Sequence, residues 1–142
     1  MQPTAIHRRI PRAGLDPIDD PATALSAISL AMHRPLRPET ILLLLDEARC
    51  GRTIVTVTGT VDPDSSIEIV EFVTQGVGCE HLGALVIGTV RPDGRVTPDA
   101  DVDRWLEMSD IASLAGVELV EWFVIDRTVS CPRDHLGEPP RW

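Results

Sequence analysis

A chain of 142 residues is long enough for one domain that buries roughly two-thirds of its unfolded surface without a metal or disulfide staple. All 13 basic residues are arginine, which excludes a lysine Schiff base and a phosphate-loop lysine; against 22 acidic residues they leave a net charge of −9, which disfavours a nucleic-acid surface. No apolar run approaches the roughly 20 residues of a membrane span, and the widely spaced Cys50, Cys79 and Cys131, with no secretory signal, predict reduced thiols and a cytoplasmic location.

Residues 1–19 hold Pro3, Pro11, Pro17 and Gly14 without a clear period and are expected to form a flexible leader. Asp20-Pro21 marks an N-cap and first-turn proline, and Leu25, Ile28 and Met32 give the helix that follows one apolar stripe, ended by Pro35 and Pro38. Ile41 to Leu45 is a run of five aliphatic residues suited to a central strand. The polar turn Asp46 to Arg52 and the β-branched Thr53 to Thr58 complete an antiparallel hairpin. Asp62-Pro63 repeats the cap-and-proline start; Ile69, Val70, Val73 and Val77 form the apolar face of a second helix that ends near Gly76 and Gly78.

Ala84 to Ile87 is a second apolar run, expected as a strand buried on both faces and parallel to the strand before the second helix. Gly88 to Thr97 reads as a turn-rich loop, with Thr97 capping a third helix, Pro98 to Ala115, whose inner face is predicted to hold Val102, Trp105, Leu106 and Ser109. Leu119 to Ile125 is a strand, Thr128 to Ser130 a short edge strand, and Cys131 to Trp142, with three prolines, an irregular surface segment. GTVDPD at Gly59 and GTVRPD at Gly88 echo one another as strand-to-helix loops. Together these pieces predict an α/β sandwich with a mixed sheet.

In such a sheet, ligands sit where the chain leaves the carboxyl end of a strand for a helix, here the loop after Ile87. The acids Asp93, Asp99, Asp101, Asp103, Glu107 and Asp110 cluster there; they are expected to complement the helix dipole and to line a solvated face, because they lack the spacing of a calcium loop. Cys79 and His81 lack the second pair that would make a zinc site. The four histidines, His7, His33, His81 and His135, form no nucleophile motif.

The order PETILLLLDEARCG, a hairpin, GTVDPDS, a helix, GALVIGTVRPDGRVTPDADVD, a helix and GVELVEWFVIDRTVSC resembles the RadC-like branch of the JAB/MPN metalloprotease-like domains, from about Arg37 to Arg133. The resemblance implies a three-layer α/β/α sandwich related to the cytidine deaminases, without the helix-hairpin-helix segment that usually precedes it. It divides the chain into the leader 1–19, a domain over 20–133 and a Pro-containing tail over 134–142. Active members hold zinc through H-x-H, seven residues, Ser, two residues and Asp, with a glutamate upstream; two imidazoles and a carboxylate leave one position open for an acidified water. Placed on this sequence, the ligand positions hold Thr89, Arg91, Asp99 and Val102, with Glu39 at the glutamate, and the family's Asp-His dipeptide becomes Glu121-Trp122.

A degenerate member is therefore expected, with no metal and no cofactor: a non-catalytic scaffold that binds a protein partner or a second copy, with Trp122 and Trp142 as candidate interaction residues. The tail's Pro139-Pro140-Arg141-Trp142 either serves as a docking segment or folds back over the sheet edge. The alternatives are an enzyme or small-ligand protein that uses Arg91, Asp93 and Asp101, with Glu39 or Asp99, on a small anionic or nucleotide ligand, and a DNA-repair accessory protein.

Overall fold

The computed structural model describes residues 10–76, 81–94 and 97–142. Asp20 starts the first helix as its sequence predicts: Oδ1 accepts the Thr23 amide at 2.8 Å, Oδ2 accepts the Thr23 hydroxyl at 2.7 Å, and α1 runs Pro21–Ala31. β1 (Glu39–Leu45) and β2 (Gly51–Thr58) form the antiparallel hairpin. Its turn is organised by Asp46, whose Oδ1 accepts the amides of Ala48 and Cys50 at 2.9 and 3.0 Å while Oδ2 accepts Arg52 Nε at 2.9 Å. Those amide bonds, the Cys50 one foremost, and Arg52 hold the Asp46 carboxyl below its ordinary range.

α2 (Ser65–Gln75), β3 (Ala84–Val90), α3 (Pro98–Leu114), β4 (Glu118–Ile125), β5 (Val129–Ser130) and α4 (Pro132–Leu136) follow. The strands form one mixed sheet in the order β2-β1-β3-β4-β5: β1 runs antiparallel to both neighbours, β3 and β4 are parallel, and β5 is antiparallel to β4. β2 and β3 are parallel in direction, as predicted, with β1 between them.

Alternation along the strands divides the core. On one face Ile41, Leu43, Leu45, Val86 and Phe123 pack with Ala24, Ala27 and Ile28 of α1; on the other Leu42, Leu85, Ile87 and Trp122 pack with Val70 of α2 and Trp105, Met108 and Ala112 of α3. The result is a mixed α/β domain with helices on both sides of its sheet.

Four expectations are corrected. β3 continues through Val90, so Gly88 and Thr89 are strand residues rather than loop, and the echo with Gly59 is one of letters only. Gly88 is there because α1 presses on the sheet: a Cβ at this position would stand 2.9 Å from Ile28 Cγ2. α2 begins at Ser65, because Asp62 turns the chain by accepting the Asp64 amide and no side chain caps the helix; Val77 lies outside the described residues. The buried stripe of α3 is Asp101, Trp105, Met108 and Ala112, spaced i, i+4, i+7 and i+11, while Leu106 faces outward. The segment after Cys131 is irregular only in part: Pro132 opens α4, closed by Gly137 at φ 83, and residues 138–142 continue without regular structure.

The termini also join the core. The Ile18 amide donates to the Arg49 carbonyl at 2.8 Å and its side chain is buried, whereas residues 1–9 of the predicted leader lie outside the described residues. Trp142 packs, half-buried, against the α1-side core.

Candidate functional site

At the carboxyl end of β3 the chain turns toward the N-terminus of α3, and that corner gathers most of the sequence-predicted residues. Arg91 follows the last residue of β3, its amide donating to the Ile125 carbonyl at 2.7 Å. Its side chain reaches α3, where Nη1 and Nη2 donate to the two carboxylate oxygens of Asp101 at 2.7 and 2.9 Å. Asp101 is only 2% exposed, so this forked pair is largely shielded from water. Arg104, one turn on, adds Nη1 to Asp101 at 2.8 Å and Nε to Asp64 at 2.9 Å, tying α3 to the start of α2. Asp101 thus answers two guanidinium groups and is not on a solvated face, contrary to the expectation for the acidic cluster.

Beneath Arg91, Trp122 is fully buried, and its indole Nε1 donates to the Thr89 hydroxyl at 2.9 Å. The Arg91 guanidinium carbon stands 5.8 Å from the Trp122 ring centre. Trp122 is therefore a core residue and not an exposed interaction residue. In front of this group lies a cleft of about 230 Å³ whose walls include Thr40, Thr60, Ser66, Thr89, Arg91 and Asp93. The Thr40 and Thr60 hydroxyls lie 3.0 Å apart across its floor.

The remaining predicted positions lie apart from this cluster. Glu39 pairs in register with Val90, whereas its neighbour Thr40 pairs with Thr89. Adjacent strand residues point to opposite faces, so Glu39 looks toward α1 while Thr89 and Arg91 look toward α3. Fully buried Glu39 accepts the His33 amide at 2.8 Å and lies 2.6 Å from His33 Nδ1, closing the segment after α1 onto the sheet. Asp99 is exposed, with His135 Nε2 3.5 Å away. Val102 offers only hydrocarbon. His81 is exposed, and Cys79 lies outside the described residues.

A zinc ion does not fit this set. One ligand position is a guanidinium locked to a carboxylate, a second is a hydroxyl already accepting from an indole, a third is aliphatic, and the glutamate is across the sheet. Among the described residues no group of three His, Cys, Asp or Glu side chains could hold a metal.

A second buried charge cluster went unread in the sequence. Glu121, 1% exposed, accepts Arg133 Nε at 3.0 and 3.2 Å. Beyond it Arg141 lies 4.4 Å over the Trp105 ring, donates to the Leu119 carbonyl at 2.9 Å and pairs with Glu138. Burial, and after it the Glu121 charge, pushes the Cys131 thiol up to about 12, so it is no nucleophile. The readable signal was Glu121 itself: an acid within the apolar run Leu119 to Ile125 requires a cation to meet it.

No protein-family model and no curated protein matches this chain.

Proposed function

We propose that this chain is a non-catalytic, RadC-like JAB/MPN-type domain that works as a protein-interaction module. The Arg91–Asp101 pair carries the reading. In the resemblance Arg91 stands at a metal-ligand position, where a fixed positive charge repels a dication, and here its forked bonds engage both carboxylate oxygens of Asp101. The parallel β3–α3–β4 unit and helices on both faces of a mixed sheet agree with the resemblance. The edge of β2, unpaired from Arg52 to Thr58 among the described residues, and apolar side chains exposed on several elements, among them Leu30, Ile54 and Phe72, support an interaction role.

The test is zinc titration of the purified full chain, followed by melting temperature, beside Asp101→Ala. The expected result is no metal-dependent stabilisation of either protein. A saturable stabilisation of the wild type at one zinc per chain, lost in D101A, would contradict the proposal.

A further inference from the structure

The two edge strands of the sheet differ in length. β5 is two residues long and runs directly into α4, whereas β2 is eight residues long. Among the described residues the outer side of β2 is hydrogen-bonded only at its start, where the Gly14 amide donates to the Gly51 carbonyl and Pro17 bridges Cys50; Ile10, Pro11 and Ala13 share a groove with Arg52, Thr53 and Ile54 without pairing with them as a strand. From Arg52 to Thr58 no strand lies against it among the described residues. Protein edges are normally blunted by lysine, proline, inward charges or shortness. This stretch, Arg52-Thr53-Ile54-Val55-Thr56-Val57-Thr58, carries one terminal arginine and otherwise only β-branched residues.

Three further observations point to what covers it. Although the chain has 22 acidic residues, none falls between Gly51 and Val61, so copies that repel elsewhere do not repel here. Next to the edge, on the α1 side, Ile10, Ala27, Leu30, Leu43 and Ile54 line a groove of about 140 Å³. Leu30 is 65% and Ile54 48% exposed at its rim.

We propose that β2 is a homodimer interface, pairing antiparallel with β2 of a second copy about a two-fold axis through Val55. Val55 is the midpoint of the unpaired stretch, so this axis pairs all of it. Arg52 faces Thr58 of the second copy, Thr53 faces Val57, Ile54 faces Thr56, and Val55 faces itself. Every facing pair has like parity, so each side of one sheet continues onto the same side of the other. β-branched residues face β-branched residues and no like charges are opposed, the combination that favours cross-strand pairing. The two Ile54 side chains sit diagonally across the axis, roughly 7–8 Å apart, which draws the two Leu30-lined grooves together. An isologous contact of this kind consumes both open edges and stops at two copies. A second copy therefore satisfies the β2 edge of both chains.

This inference rests on the interaction reading above and names its surface and partner. Light scattering of the eluting full chain should give twice the monomer mass of 15.5 kDa. Ile54→Glu, which places two like charges across the axis, should halve that mass, as should Thr56→Lys, a second exposed position in case the first variant folds poorly. Leu114→Glu, at the far end of α3, should leave the dimer intact. A wild type that is monomeric at all concentrations, or a dimer that both I54E and T56K leave whole, would overturn the interface. Neither outcome bears on metal binding, so zinc uptake, which would sink the non-catalytic reading, is scored separately.

Discussion

Asp101 holds two guanidinium groups, and the consequences of removing it follow from what is left behind. Truncating one partner of a buried pair strands the other charge, whereas replacing both partners by apolar groups of similar size is often neutral. Asp101→Ala leaves Arg91 and Arg104 facing one another, and it is expected to cost about 3 kcal/mol in urea unfolding. The double variant R91M/D101L should recover most of that loss; equal destabilisation by both would show that the pair does more than neutralise charge. Asp46 makes a prediction with a definite sign. Its carboxyl is depressed in the folded chain, so its contribution is fully present above the unfolded value of about 4 and is lost as pH falls through the lower folded value. The stability gap between wild type and Asp46→Ala should hold from neutral pH to about pH 5 and close in stronger acid; urea unfolding across that range measures it.

How far each element could be read depends on whether its partner is local. Ile41 to Leu45 and Ala84 to Ile87 were legible because a strand buried on both faces must be a continuous apolar run. The Asp20-Pro21 start was legible because its cap bond spans three residues. The inner face of α3 was not: a carboxylate at a stripe position looks like solvated charge until Arg91 is known to lie 2.7 Å away. The facing of Glu39 was equally hidden, since it depends on strand parity and sheet register rather than on neighbouring letters. The last segment, with three prolines, conceals a five-residue helix and an arginine stacked on Trp105. Deleting 137–142 would uncover Trp105 and remove Trp142 from the α1-side core. The expected loss is roughly 2–4 kcal/mol, from cation–π contact and apolar burial together; an unchanged urea midpoint would show that this segment contributes nothing to the fold.

Across the whole molecule, the sheet places an ion-pair lattice at the strand-to-helix corner where an α/β protein ordinarily keeps its chemistry. Arg91, Asp101, Arg104 and Asp64 join β3, α3 and α2 there, and Glu39 with His33 closes the opposite face. The corner is thus part of the scaffold, and among the described residues the long unpaired backbone edge is that of β2. Metal analysis of the full chain, purified without chelator, tests this account most directly. Only substoichiometric zinc and iron are predicted; one tightly held zinc or iron per chain, displaced on mutation of Thr89, Asp99 or Asp101, would contradict it.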